Sequence, residues 1–205
     1  VSKIKLAGKI ELDKFMSVFS SGIAAPSTKE KIFTVKKLVI IGASTGGPKV
    51  VLDIMKSIPA TNEAAFLIVQ HMPAGFTTTF AERIGWESKI KAKEATDNEF
   101  IAVGRALVAP AGYHLVVEKY GEHLKTRLNQ DPLINFVRPS IDVTMCSAAE
   151  ACGKDILGII LTGMGKDGLE GAKSIKEKGG TIIIQNEETS VVWGMPKAVY
   201  EAGLA

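Results

Sequence analysis

The sequence predicts an α/β fold in which a doubly wound, mainly parallel sheet carries helices on both faces. From about residue 38 to the end, apolar runs alternate with segments of helical periodicity, as expected for successive β–α units. The apolar runs are continuous rather than alternating, which is typical of parallel strands buried on both faces. With 205 residues, of which 46% are hydrophobic and 23% charged, the chain is long enough for a sizeable core.

Each element has its own local signal. Buried strands are predicted for KKLVIIGAS, AAFLIVQHM, RALVAPAG, DILGIILTG and TIIIQNE. Helices are predicted for PKVVLDIMKSI, TTTFAERIGW, RPSIDVTMCSAAEACG, LEGAKSIKEKGG and PKAVYEAG, the first with Pro48 in its first turn. YHLVVEKYGEHLKTRLN alternates around Tyr120 and Gly121, as a half-exposed hairpin does. An antiparallel excursion near residues 106–128 should therefore interrupt the parallel sheet.

The N-terminal segment differs from the rest. Residues 4–16 have the spacing of a short amphipathic helix, and the Ser-, Pro- and Lys-rich stretch after it is typical of a linker. We expect residues 1–37 to be a linker segment and residues 38–205 to be the folded domain. The chain begins at Val1 without methionine, so we expect a fragment of a longer protein.

Composition excludes several classes of function. A net charge of +3 with scattered Lys and Arg argues against nucleic-acid binding. No apolar stretch approaches a membrane span and no signal peptide is visible, which predicts a cytoplasmic protein without membrane insertion. Cys146 and Cys152 lack CxxC spacing and a nearby histidine, so we expect reduced, buried thiols. We expect no metal and no cofactor.

The turn GASTGG places a serine between a buried strand and a helix. Residues 42–46 fit G-x-S-x-G, the pattern that holds a nucleophile on a tight strand-to-helix turn. Ser44 could instead cap the helix or bind phosphate. A Walker loop would need Lys and then Ser or Thr where Pro48 and Lys49 stand, and Ser44 occupies the second glycine of a dinucleotide fingerprint.

His71 follows the strand AAFLIV directly, at the edge where Ser44 is expected. An imidazole can accept a serine proton near neutral pH, so His71 is the candidate base. We expect His114 to be structural and His123 to be exposed.

Asp167 lies in a second glycine-rich turn, after the strand ILGIILT. Its carboxylate could accept a hydrogen bond from Nδ1–H of the histidine, or it could cap the following helix. Asp142, in RPSIDV, competes for the same role, although a position early in a helix explains it without chemistry.

Taken together, these motifs resemble the catalytic domain of bacterial chemotaxis protein-glutamate methylesterases, which are also glutaminyl deamidases. The likeness runs from about Leu38 to Ala205 and includes IGASTGGP, QHMPAGFT, RPSIDV, ILTGMGKDG and QNEETSVVWGMP. The resemblance implies a triad of Ser44, His71 and Asp167 and an oxyanion site at the backbone N–H of Met164. Thr45 and Gly46, beside the nucleophile, are further candidates for oxyanion or substrate contacts.

The resemblance also implies partners. These are methyl-accepting chemotaxis receptors as substrates and a receiver domain, phosphorylated by a histidine kinase, for which no pattern is present here. Arg138 is expected to line the substrate cleft, to hold an acidic receptor surface, or to form a structural ion pair. Two other classes stay open: a non-catalytic phosphate- or nucleotide-binding module, and a regulatory docking domain.

Overall fold

A computed structural model describes residues 34–61 and 63–205, so the predicted N-terminal helix and most of the predicted linker lie outside the described residues. The strands are β1 (Lys37–Ala43), β2 (Ala64–Gln70), β3 (Lys91–Glu94), β4 (Arg105–Val108), β5 (His114–Tyr120), β6 (His123–Asn129), β7 (Ile156–Ile160) and β8 (Thr181–Ile184). The helices are α1 (Gly47–Ser57), α2 (Thr77–Glu87), α3 (Ile141–Cys152), α4 (Leu169–Glu177) and α5 (Met195–Glu201).

Six strands form one parallel sheet in the order β3-β4-β2-β1-β7-β8, and β5 pairs with β6 in a separate antiparallel hairpin. The predicted fold class is confirmed. The hairpin, however, begins later than residue 106, because residues 105–108 pair in parallel with both β2 and β3. β3 was not predicted, since its sequence KAKE is polar and half-exposed at the sheet edge.

The sheet is buried on both faces because its central strands are apolar throughout. One hydrophobic cluster packs α1 and α2 against Val39, Ile41 and Phe66. A second packs α3, α4 and α5 against Leu38 and Ile40, on the opposite face. Alternate residues of the same strand thus serve opposite faces, as a doubly wound sheet requires.

The strand order places three loops at one rim. The chain builds β2, β4 and β3 on one side of β1 and then crosses to add β7 and β8 on the other. Connections that leave β1 and β7 in different directions open a crevice at the carboxyl ends of these strands. The loops after β1, β2 and β7 therefore lie next to each other. In the described part of the chain, no helix is both long and apolar enough to cross a membrane.

Candidate active site

Ser44 is the first residue beyond β1, and its backbone is held from three sides. Its N–H donates to Thr162 O at 3.0 Å, and its carbonyl accepts from Gly47 N at 2.8 Å and from Gln70 Nε2 at 2.9 Å. The serine is half-buried. The N-cap of α1 is Gly46, without a side-chain capping bond, so Ser44 is not the cap of this helix.

Two glycines let the neighbouring chain approach this serine closely. Gly46 has a φ of 81°, a left-handed conformation that favours glycine, and a Cβ there would lie 2.6 Å from Val191 Cγ2. A Cβ on Gly163, in the turn after β7, would lie 2.8 Å from Ser44 Cβ. The glycines of both turns are thus needed for packing around Ser44.

His71 follows β2 and continues the sheet ladder by one bond, donating its N–H to Ala43 O at 3.0 Å. Its side chain is 12% exposed, and Nε2 lies 2.8 Å from Asp167 Oδ2. The carboxylate therefore faces Nε2, whereas we expected it to face Nδ1. An ionised Asp167 accepts from Nε2–H of a neutral ring, which leaves Nδ1 as the basic nitrogen.

Ser44, His71 and Asp167 lie at one rim, but only His71 and Asp167 are joined by a hydrogen bond. His71 and Asp167 are in hydrogen-bond contact, and the ladder bond from His71 N to Ala43 O brings the backbone of His71 next to the end of β1, which Ser44 follows. Among the described residues, the Ser44 hydroxyl has no hydrogen-bond partner. Catalytic hydrogen bonds are often long in unliganded enzymes and tighten when substrate binds.

Asp167 is 2% exposed and is held as an anion. Burial raises the pKa of its carboxyl, but hydrogen bonds from His71, from Ile141 N–H and from the Ser140 hydroxyl outweigh burial and lower the pKa to about 2. Its five donors are His71 Nε2 (2.8 Å), Ile141 N (2.7 Å), Ser140 Oγ (2.7 Å), Asn135 Nδ2 (3.2 Å) and Asp142 N (3.2 Å). Two of these donors are backbone N–H groups of the first turn of α3, so Asp167 also caps that helix from outside it.

Asp142 is 6% exposed and serves a different helix. Its Oδ1 accepts from Gly168 N and Gly171 N at the start of α4, both at 2.9 Å. Burial raises the pKa of Asp142 to about 6 against these N–H groups, and the nearby charge of Asp167 adds to the rise. Within the described residues it makes no hydrogen bond with His71.

Several polar residues of this network were missed at the sequence level. Asn135 donates its amide to both aspartates, 2.9 Å from Asp142 Oδ2 and 3.2 Å from Asp167 Oδ1. The Thr162 hydroxyl donates to Thr45 O at 2.9 Å, and Gln185 Oε1 accepts from Thr162 N at 2.8 Å. A signal did exist for Gln70, because a polar residue that closes an otherwise apolar strand needs a partner.

The candidate oxyanion donors are available. In the described part of the chain, the backbone N–H groups of Thr45, Gly46 and Met164 donate to no protein acceptor. The Met164 side chain is 77% exposed, on the turn that also carries Asp167. Unpaired N–H groups on turns that flank a nucleophile can stabilise a developing oxyanion.

Arg138 holds a loop. It donates from Nη1 to Gln130 O at 2.7 Å and to Asp131 O at 2.8 Å. It forms no ion pair with any described residue, so the expectation of a structural ion pair was wrong. These bonds secure the segment that follows β6.

In the described part of the chain, the other singled-out residues make no hydrogen bond to Ser44, His71 or Asp167. His114 is buried, with Nε2 3.1 Å from Pro132 O and with Nδ1 accepting from Ser140 N. His123 is only partly exposed. Cys146 and Cys152 are free thiols, half-buried rather than fully buried, and burial raises the pKa of both. No cluster of His, Cys, Asp and Glu suited to a metal ion occurs among residues 34–61 and 63–205.

Comparison with known proteins gives a consistent result. The family model described as CheB methylesterase matches residues 39–205. A protein-glutamate methylesterase/protein-glutamine glutaminase of Haloarcula marismortui is 48% identical over 80% of this chain and 45% of its own length, and one of Trichodesmium erythraeum is 40% identical over 96% and 56%. The chain thus spans about half the length of these curated relatives.

A solved structure agrees with the sequence matches. The crystal structure of the CheB methylesterase catalytic domain of Thermotoga maritima superposes with a TM-score of 0.81 at 43% identity, covering 82% of this chain and 89% of that one. Fold and sequence similarity agree, and the chain belongs to the CheB methylesterase family.

Proposed function

We propose that this chain hydrolyses γ-glutamyl methyl esters on the helices of chemotaxis receptors, with Ser44, His71 and Asp167 as its catalytic triad. The observation that carries the proposal is the 2.8 Å contact between His71 Nε2 and Asp167 Oδ2, at the rim where Ser44 follows β1. The names of the curated relatives, protein-glutamate methylesterase/protein-glutamine glutaminase, give the reaction and a second substrate, the glutamine side chain.

In the first half of the reaction, Ser44 Oγ attacks the ester carbonyl while His71 Nδ1 accepts the hydroxyl proton. Asp167 stays ionised, holds Nε2–H and stabilises the imidazolium that forms. The N–H groups of Met164 and Thr45 donate to the oxyanion, and one such donor typically contributes about 3–4 kcal/mol. Collapse of the tetrahedral intermediate releases methanol, which takes the proton from Nδ1.

In the second half, His71 removes a proton from water, which attacks the acyl-enzyme and leaves a glutamate side chain and free Ser44. A glutamine side chain follows the same route and releases ammonia in place of methanol. His71 thus acts as base and then as acid in each half, and no metal or cofactor is needed for this proton balance.

The relatives' greater length and the family likeness extend the proposal to partners and location. The intact protein would carry a receiver domain, phosphorylated by a histidine kinase, joined through residues 1–37, and would act in the cytoplasm on receptor helices. Met164, at 77% exposure, and the half-buried Ser44 form a shallow site suited to a side chain on a protein surface. Arg138 stays a candidate for the substrate cleft or for an acidic receptor surface, since among the described residues only its Nη1 is engaged with loop carbonyls.

The proposal is tested by Ser44→Ala, which removes the nucleophile. We expect methanol release from methylated receptor to fall to background while the thermal unfolding temperature is unchanged. Ser57→Ala is the matched control, because Ser57 lies at the end of α1 and its hydroxyl donates, among the residues that the structure describes, only to Asp53 O. Retained turnover in Ser44→Ala would exclude the serine mechanism.

A phosphate-binding module without catalysis is the competing class. A fluorophosphonate separates the two, since covalent labelling of Ser44 requires an activated hydroxyl. Wild-type labelling that disappears in Ser44→Ala supports the esterase, and an unlabelled wild-type protein supports the binding module.

A further inference from the structure

Gln70 is the last residue of β2, and its side chain touches both the nucleophile and the base. It is 1% exposed. Its Nε2 donates to Ser44 O at 2.9 Å and to His71 O at 3.0 Å. A single amide nitrogen therefore joins the peptide groups of the two residues that must exchange a proton in the proposed mechanism.

This amide continues the sheet where the backbone ladder stops. Between β1 and β2 the last ladder bond runs from His71 N to Ala43 O, and the N–H of Ser44 turns to Thr162 O on the other side of β1. The carbonyls of Ser44 and His71 have no ladder donor between them. The two hydrogens of Gln70 Nε2 supply both bonds, so they fix the separation of the two strand ends.

Stability alone does not explain an amide at this position. The other six residues of β2, AAFLIV, are all apolar and buried. Gln70 Oε1 is buried, and no described residue donates a hydrogen bond to it. A Cβ on Gly47 would overlap this oxygen, so the absence of a side chain at Gly47 makes room for the amide. A buried acceptor without a protein partner is costly, and the amide that carries it supplies two donors that an apolar residue could not.

We propose that Gln70 is a positioning residue that sets the distance and orientation between Ser44 and His71 for proton transfer. This inference rests on the proposed serine mechanism, in which His71 Nδ1 must reach the Ser44 hydroxyl. Gln70 touches neither the ester nor the oxyanion. It acts through the two backbone carbonyls that it holds.

The test is the rate of Ser44 labelling by a fluorophosphonate in Gln70→Met, which keeps the length of the side chain and removes both donors. A misplacement of about 1 Å costs up to about 100-fold in rate, so we expect the limiting rate constant to fall about 10- to 100-fold. The probe concentration at half-saturation should stay unchanged, because the probe binds outside Gln70.

Thr126→Val is the matched control. Thr126 is also 1% exposed, and its hydroxyl lies 2.7 Å from Thr96 O and 3.3 Å from Glu99 O, by the β5–β6 hairpin. This variant loses a comparable buried donor and should label at the wild-type rate. Wild-type labelling in Gln70→Met, or an equal loss in both variants, would overturn the positioning role. If the fluorophosphonate does not label Ser44 in the wild-type protein, the proposed function itself would be refuted.

Gln70→Glu decides the question if Gln70→Met does not fold. The glutamate keeps the shape of glutamine, but once ionised it faces two carbonyl oxygens with no hydrogen to donate. Labelling of Gln70→Glu, taken relative to wild type at the same pH, should therefore fall at high pH as the new carboxyl ionises. His71, Asp167 and Asp142, the titratable groups of this network, are common to both proteins. Parallel pH profiles would contradict the inference.

Discussion

Two buried aspartates each accept backbone N–H groups at the start of a helix, but each one caps a different helix. Asp167, in the turn after β7, accepts N–H groups from the start of α3, whereas Asp142, in the first turn of α3, accepts N–H groups from the start of α4. Asn135 donates its amide to both. At 2% and 6% exposure, the two carboxylates are almost equally buried.

Their difference lies in the donors. Both carboxylates accept from backbone N–H groups and from the Asn135 amide. Asp167 also accepts from the Ser140 hydroxyl and from His71, and its pKa is lowered to about 2. The donors of Asp142 do not offset burial and the charge of Asp167, and its pKa rises to about 6. Burial therefore does not distinguish the two acids, whereas the contact with His71 and the larger number of donors to Asp167 do.

Asp167→Asn should have the largest effect on this comparison. The amide can still accept from His71 but cannot stabilise the imidazolium, so we expect kcat for methanol release to fall about 10³- to 10⁴-fold. Circular dichroism at the assay temperature controls for folding, because an amide NH₂ would face donors at the start of α3. A loss below about 10-fold would show that Asp167 is mainly a helix cap.

The pH dependence of stability should separate the two acids. The folded-state pKa of Asp142 lies above its ordinary value of 3.8, so its contribution to stability is complete below about pH 4 and is lost as the pH rises to about 6. Asp142→Asn removes this loss. The difference in unfolding free energy between the variant and wild type should therefore shift by about 3 kcal/mol in favour of the variant from pH 4 to pH 6. Urea unfolding at a series of pH values measures it.

Asp167 should give the opposite slope. Its lowered pKa contributes about 2 kcal/mol above pH 4, which is lost as the pH falls from about 4 to 2. In urea unfolding, the free energy of unfolding of Asp167→Asn should therefore be lower than that of wild type above pH 4, and the difference should shrink as the pH falls. A difference that is independent of pH in either variant would contradict the assigned charge states.

Ser140→Ala removes one of the five donors to Asp167. We expect a loss of about 1.5–3 kcal/mol in unfolding free energy, typical of a hydrogen bond to a charged group, and a decrease in kcat of less than about 10-fold. Ser147→Ala is the matched control, because Ser147 lies in the helix that Ser140 caps and its hydroxyl bonds to Val143 O, Thr144 O and Val117 N instead. Equal effects in the two serine variants would mean that the Asp167 contact adds nothing.

The smallest change in activity is expected for Asp142→Asn. The amide oxygen can still accept from Gly168 N and Gly171 N, so α4 keeps its start and His71 keeps its partner. We expect kcat for methanol release within about 5-fold of wild type. A loss as steep as that of Asp167→Asn would show that Asp142 is the acid on which catalysis depends.

Much of the fold followed from local patterns, since continuous apolar runs and glycine turns are properties of short segments. The rim position of Ser44, His71 and Asp167 followed from strand direction alone, because parallel strands bring their carboxyl ends together. The polar edge strand β3 carries no such pattern and was missed. Asn135 and Ser140 were missed as well, because their roles arise only when the segment before α3 packs against the turn after β7. The ring nitrogen that faces Asp167 depends on side-chain orientation, which spacing along the chain does not encode.

The proposed mechanism depends most on His71 and Asp167 acting as one unit. A double-mutant cycle on methanol release measures this coupling directly. Residues that act together lose their effect together, so His71→Gln combined with Asp167→Asn should be no slower than the slower single variant. Single-variant losses that multiply in the double variant would mean that the 2.8 Å contact is not used in the reaction.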